Sequence, residues 1–560
     1  RTLNQPEAVI HNIHQALYAQ GPSQELLGFC LEACQRWPES RPLQVELLLL
    51  LTELPVPDKK LPLLLRNDLS KVLGQVLPRF RCDLQALAPW LAYLLKALPD
   101  WPRLQSASQA HVLGVKVPEL LKHPLLQWLL TQTCLCDPEL EICLTQFRHL
   151  LLKTTRPLGS DWLEVLFLMA RQAWNNEFIA YQSPEELDRL RALKLPARPA
   201  DLTPRSQQQL LLSAMYQALD SLPVSSEIWP ILAKQSPEWA ELIALSVDAP
   251  RQERRLAADL SSLTPIDSDD PCLTFYEQYP YPRWLSCEPL EPISRLDQLS
   301  FLFPDYDWTP HFQTASETPS QVLIAGCGTG QHLITQALAN PAAQITGLDI
   351  SRASLAYTAR MLEKYTLQHP VSLYQADLMQ LQTWEQRFDL IECGGVLQHL
   401  PEPETGFKHL LQLLKPGGLF KLGLYSRRAR RGLLKLKQQM ELNPDSPDQA
   451  LCEWRWQLLQ SEKYPFLKHL LDFYSLSNCR DLLLHPREQS YTLPELSEWF
   501  SHHHLEVLGL ELWNPLYYRL YAERFGDDPR QVNLAYWDQL EAEHPDMFAH
   551  MYVVWLKKSA

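Results

Sequence analysis

The chain lacks an excess of positive charge: 51 Lys+Arg stand against 65 Asp+Glu, a formal net charge of −14. Phosphate binding draws on clustered Lys and Arg, so nucleic acid is not expected as substrate. The run Arg427-Arg428-Ala429-Arg430-Arg431 is the local exception; it reads as a solvated face or, beside a site, as an attractor of acidic substrate. Paired C-x-x-C motifs are also missing. The 12 cysteines are scattered, which excludes a zinc ribbon or secreted disulfide framework and fits a reducing, cytoplasmic setting. No signal peptide or membrane span is read, because the greasiest run, Leu43 to Leu54, is interrupted by Glu46 and Glu53. His502-His503-His504 lacks ligand spacing, since consecutive side chains point in different directions, and no metal is assigned. At 560 residues the chain is too long for one core, so roughly two to four domains are expected. Oligomeric state and residues upstream of Arg1 stay open.

What is there is concentrated between Gln321 and Ser426. Gln321-Val322-Leu323-Ile324-Ala325-Gly326-Cys327-Gly328-Thr329-Gly330 is an apolar strand entering a tight glycine loop, and Gln331 to Ala339 reads as the helix after it. Glycines at such a bend permit positive φ and let backbone N–H groups approach a ligand. A second strand, Ile345 to Ile350, carries Asp349 about twenty residues beyond the glycines, where a carboxylate reaches a ribose diol. A third, Val371 to Gln375, leads into Ala376-Asp377-Leu378, whose acid suits an exocyclic amine. The fourth, Phe388 to Cys393, breaks at Gly394-Gly395, where substrate can approach the backbone. Leu414-Lys415-Pro416-Gly417-Gly418 is read as a turn into the fifth strand, Leu419 to Ser426.

The spacing Gly326-x-Gly328-x-Gly330 lacks the two-residue gap of the dinucleotide motif, and no Gly-Lys-Ser/Thr follows to make a P-loop. The ordered series resembles the class I S-adenosylmethionine-dependent methyltransferases. That resemblance implies an α/β, Rossmann-like, seven-stranded, mostly parallel sheet with an antiparallel last strand between the fifth and sixth. It also implies S-adenosyl-L-methionine as cofactor and S-adenosyl-L-homocysteine as product. Carried onto matching positions, the cofactor-binding residues are Gly326, Cys327, Gly328 and Gly330 in the loop, Asp349 and Ile350 at the ribose, Asp377 and Leu378 at the adenine, and Cys393 and Gly394 at the fourth strand's end.

Residues 1–260 carry amphipathic helices and almost no strand pattern, for example Glu25 to Trp37, Leu43 to Glu53, Leu84 to Leu98, Leu140 to Leu152, Trp162 to Trp174 and Gln207 to Leu222. The segment Leu26 to Leu51 looks like the seam between two tetratricopeptide repeats, without a clean period beyond it. Residues 261–318 are expected to be an aromatic and proline-rich connector over the cofactor mouth, and within it the stretch Phe275 to Trp284 is expected to be extended, because two X-Pro units in Tyr279-Pro280-Tyr281-Pro282 exclude helix interior. Tyr276, Tyr279, Tyr281 and Arg283 are its substrate or methionine-carboxylate candidates. Residues 319–560 make the catalytic domain, with a helical insertion at about 429–484. From it Tyr474, Arg480, Asp481 and His485 are substrate-side candidates, with salt-bridged helix contacts as the alternative reading. Leu505 to Trp513 and Ala549 to Leu556 are the last two strands. The whole arrangement looks like bacterial tetratricopeptide-repeat proteins fused to a class I methyltransferase.

Methyl transfer from a sulfonium needs alignment of the nucleophile and removal of its proton. His399, just after the glycines and near neutral in pKa, is the general-base candidate, and Glu392 could orient an amine. The Asn/Asp-Pro-Pro-Tyr of amide and adenine methylation is missing, as is the Pro-Cys of cytosine methylation. The leading expectation is methylation of a protein or peptide recruited by the helical half. The alternatives are a small-molecule or natural-product methyltransferase, and a non-catalytic S-adenosylmethionine sensor.

Overall fold

The computed structural model describes residues 5–57, 61–80, 82–287, 294–312, 319–512, 514, 516–549 and 551–559. Parts of the expected connector (288–293 and 313–318), together with Trp513 and His550 of the expected late strands, lie outside the described residues. Among the described residues no helix is long and apolar enough to cross a membrane.

The chain divides into two compact units, 1–252 with 445–482, and 253–444 with 483–560. The first is helical. The expected helices occur as Gln24–Arg36, Arg41–Glu53, Ala88–Lys96, Pro138–Lys153, Ser160–Asn175 and Pro204–Ala214. Several start on local signals: Ser23, Asp137 and Thr203 cap their helices, and proline occupies the first turn of the last of these and of Pro138–Lys153. Gln207 to Leu222 does not run as one helix, because it ends at Ala214 and only a short turn, Leu219–Ser221, follows.

The central part of the insertion belongs to this helical unit, which corrects its assignment to the catalytic domain. Arg455, on the helix Asp448–Leu459, is buried in a bidentate pair with buried Glu141. Trp456 stacks on Tyr181 with centroids 5.6 Å apart, and Ser477 N donates to Glu177 Oε2 at 2.8 Å. A buried charge is tolerated only when paired, so Arg455 and Glu141 hold this segment to the rest of the unit.

The second unit is built on seven strands: β1 (Gln321–Ala325), β2 (Gln344–Asp349), β3 (Ser372–Gln375), β4 (Phe388–Gly394), β5 (Leu414–Leu424), β6 (Leu505–Glu511) and β7 (Tyr552–Lys558). Their order is β3-β2-β1-β4-β5-β7-β6, with β7 antiparallel to both neighbours and the remaining pairs parallel. Both faces are covered, which is why the parallel strands read as continuous apolar runs. Leu323, Ala325, Ile391 and Cys393 enter one core, and Val322, Ile324, Ile345 and Leu390 the other. β5 begins at Leu414 rather than Leu419: the Lys415-Pro416-Gly417-Gly418 stretch lies inside it as an irregularity in the pairing with β4.

The connector is not wholly extended. Asp270 accepts from Cys272 N and Pro271 occupies the first turn of a helix, Pro271–Gln278, so extended backbone starts only at Tyr279. Further helices follow at Arg295–Leu302 and Thr309–Phe312.

Candidate functional site

The strand order reverses between β1 and β4, and open α/β sheets bind ligands at the carboxyl ends of strands flanking such a point. The loop after β1 lies there. Gly326, Gly328 and Gly330 have φ of +70°, +54° and +84°. A Cβ at Gly326 would meet Val396 Cγ2 at 2.3 Å, and one at Gly328 would meet the Tyr281 carbonyl oxygen at 2.4 Å. Glycine is therefore required at both by conformation and by close approach.

The connector closes over this loop. Thr329 N donates to Tyr281 O at 3.1 Å, Thr329 Oγ1 to Pro282 O at 2.6 Å, and Trp284 Nε1 to Thr329 Oγ1 at 3.1 Å. Tyr281 thus acts through its backbone, and Arg283 lies over the Tyr357 ring at 5.9 Å. Tyr279 is buried against Phe275. Tyr276 faces a different neighbour, the ring of His485, at 5.4 Å.

Asp349, at the end of β2, is buried. Its Oδ2 accepts from Gly328 N at 2.7 Å and its Oδ1 from Ser351 N at 2.9 Å. Burial pushes its carboxyl up to about 6, partly offset by those amides. Asp377 caps the next turn, accepting from Met379 N at 2.8 Å, and burial raises its pKa as well. Cys327 and Cys393 are buried with raised thiol pKa values, so they serve as small packing residues rather than nucleophiles. At Gly394 an added Cβ would meet nothing within 4 Å, leaving open space at the end of β4.

Glu392 does not face that space. It is buried, and its oxygens take Arg295 Nη2 at 2.8 Å and His332 Nε2 at 2.7 Å. Burial opposes ionisation, yet Arg295 and His332 together hold the carboxyl well below its usual range. An orienting role toward an amine is therefore withdrawn: Glu392 is a structural anion whose partners lie outside the β4 motif, in a helix 97 residues upstream and in the helix after the glycine loop.

His399 ends a short turn, Leu397–His399, after β4. Its Nδ1 lies 2.7 Å from the Arg487 carbonyl oxygen, which places the ring proton on Nδ1 and leaves a lone pair on Nε2. Gln398 Nε2 approaches that nitrogen at 3.4 Å. The His485 ring packs on it with centroids 3.9 Å apart. Of the insertion's candidates only His485 falls in this unit. Tyr474 and Arg480 are buried in the helical unit, the tyrosine donating to Lys468 O and the arginine paired with Asp448, so they are contact residues there. Three of the run's four arginines are likewise paired: Arg427 with Glu495, Arg428 with Asp538 and Glu541, Arg430 with Glu488.

With this geometry in hand, residues 323–420 match the family model described as a methyltransferase domain. These residues are a methyltransferase domain. Over 264 residues the chain is 27% identical to an uncharacterized protein of Synechococcus sp., covering 43% of this chain and 60% of that one. It is 36% identical over 97 residues to the ubiquinone biosynthesis O-methyltransferase of Coxiella burnetii, covering 17% of this chain and 40% of that enzyme. The chain therefore spans less than two thirds of either relative. Among solved structures, PKMT2 from Rickettsia typhi in complex with AdoHcy aligns at TM-score 0.34 and 17% identity, over 48% of this chain and 55% of that one. Magnesium protoporphyrin IX methyltransferase from Synechocystis aligns at 0.27 and 11%, over 56% and 97%.

The residues of this domain fit S-adenosylmethionine: a glycine loop that only glycine can build, a buried carboxylate at the end of β2, and open space at Gly394.

Proposed function

We propose that the chain is an S-adenosylmethionine-dependent methyltransferase in which Gly326, Gly328, Gly330, Asp349 and Asp377 hold the cofactor and His399 receives the acceptor's proton. The observation that carries this reading is the Asp349 carboxylate fixed on the Gly328 amide at the switch point of the sheet. When bound, the cofactor supplies a methyl group on a good leaving group. The chain's own work is then alignment and deprotonation. His399 suits the second task because the Arg487 carbonyl fixes its tautomer with Nε2 basic. Gln398 shares that lone pair and must yield as the proton arrives.

The acceptor is a protein or peptide held by the helical unit. Supporting this, the unit carries a cleft of about 260 Å³ lined by Gln127, Glu164, Phe167, Arg171 and Glu238, and an apolar one of about 340 Å³ that shares Gln127 and Thr131 with it. A second reading, methylation of a small molecule, is favoured by the partial likeness to a ubiquinone biosynthesis O-methyltransferase.

Incubation with methyl-labelled S-adenosylmethionine and extract of the source cell tests both. Label retained with macromolecules supports the polypeptide, and label passing a size filter supports the small molecule. His399→Ala is expected to slow transfer by at least about a hundredfold. Transfer unaffected by that change removes His399 from the mechanism.

A further inference from the structure

Two buried polar atoms beside His399 have no hydrogen-bond partner among the described residues: Gln398 Oε1 and His485 Nε2. Both side chains are more than nine-tenths buried. Native proteins rarely leave such groups unpaired, and a pair of them at one place needs an explanation.

Their hydrogen-bonding roles follow from their neighbours. His485 Nδ1 accepts from Arg487 N at 3.1 Å, so the ring proton sits on Nε2 and the orphan atom is a donor. Gln398 turns its amide nitrogen to the basic Nε2 of His399, so its orphan oxygen is an acceptor. One donor and one acceptor therefore flank one basic nitrogen. His485 stays neutral, since burial, with His399 beside it, pushes its pKa down to about 2. The rings of Phe275 and Tyr276 pack on His485 at 5.1 and 5.4 Å. Gln398 Nε2 is 3.7 Å from a Cβ placed on Gly395, so the cluster adjoins the end of β4 where the fourth strand opens.

We infer that Gln398 and His485 form the acceptor subsite and that it takes a neutral hydroxyl, phenolic or enolic, rather than a cationic amine. A hydroxyl has what the pair lacks: its lone pair accepts from His485 Nε2–H, and its proton is offered to Gln398 Oε1 and then to His399 Nε2. An ammonium or guanidinium entering here would meet His485 as a competing donor and would need a carboxylate. Glu392 is committed to Arg295 and His332, and Asp270 lies 3.5 Å from Arg487. In the reaction the hydroxyl oxygen gains the methyl carbon, the carbon–sulfur bond breaks with its electron pair left on sulfur, and the proton ends on His399.

This inference rests on the methyltransferase reading, so the test separates the two. The full chain is first titrated with S-adenosylhomocysteine, and absence of binding there overturns the methyltransferase reading itself. The loaded protein is then titrated with p-cresol, with a tyrosine-containing hexapeptide, and with benzylamine, each followed by saturation-transfer NMR. Saturable binding of p-cresol assigns a small phenol, and binding of the peptide alone assigns a polypeptide hydroxyl. In either case Gln398→Leu and His485→Phe should each weaken it about tenfold while leaving S-adenosylhomocysteine affinity unchanged. The hydroxyl subsite is overturned if neither hydroxyl probe binds saturably, which would leave the two atoms to an ordinary buried water. It is also overturned if both variants bind like wild type, or if benzylamine binds as well as p-cresol with the same sensitivity.

Discussion

Raising the pH from 5 to 7 should strengthen S-adenosylmethionine binding about tenfold through the ionisation of Asp349. Burial pushes its carboxyl from 3.8 up to about 6 in the ligand-free protein. Ribose hydroxyls donate to a carboxylate, so binding favours the charged form and draws the group back toward its ordinary value. With the free value near 6, roughly one molecule in eleven is ionised at pH 5 and roughly ten in eleven at pH 7. That ratio is about 1.4 kcal/mol of binding free energy. Calorimetry at pH 5, 6 and 7 in two buffers of different ionisation enthalpy reads both the affinity and the release of close to one proton at pH 5. Folding runs the other way. A raised carboxyl contributes stability that is present below pH 3.8 and lost as pH rises through about 6. Ligand-free wild type should therefore lose stability across this window relative to Asp349→Asn. Equal affinities at pH 5 and 7, or the same slope in Asp349→Asn, would refute the reasoning.

Gly328→Ala places a Cβ 2.4 Å from a backbone oxygen at φ +54°, so it should cost about 2–4 kcal/mol in urea unfolding and abolish cofactor binding. Glu392→Gln leaves buried Arg295 without a full countercharge and should cost about 3–5 kcal/mol. The wild-type contribution of Glu392, whose pKa is depressed, is present above its ordinary 4.5 and is lost as pH falls below it; an acid-unfolding curve that shifts with the variant checks the sign. Arg455→Met strands Glu141 and should cost a similar amount, whereas adding Glu141→Leu should recover most of it. A double-mutant cycle followed by circular dichroism decides that case.

Strands β1, β2 and β4 were legible because each is a mainly apolar run ended by a glycine or an acid, and a sheet covered on both faces demands such runs. Strand order and the placement of β7 came from the resemblance, since local sequence says nothing about which strand pairs with which. The start of β5 was misplaced because Lys415-Pro416-Gly417-Gly418 carries turn chemistry that the sheet tolerates as an irregularity. The helix Pro271–Gln278 had a readable signal in Asp270-Pro271, outweighed in the reading by the prolines that follow. Partners distant in sequence were not legible. Glu141 and Arg455 are 314 residues apart, and nothing near either announces the other. The same holds for the site: glycine spacing and Asp349 could be read locally, but the ion pair that occupies Glu392 and the ring that packs on His399 arise from tertiary folding.

The most direct test of the central claim is calorimetric titration of the full chain with S-adenosylmethionine at pH 7, beside Asp349→Ala. The account predicts saturable one-to-one binding by the wild type and a weakening of roughly ten- to a hundredfold in the variant, since charge-assisted contacts are worth about 1.5–3 kcal/mol. No saturable binding by the wild type, or equal binding by the variant, would contradict it.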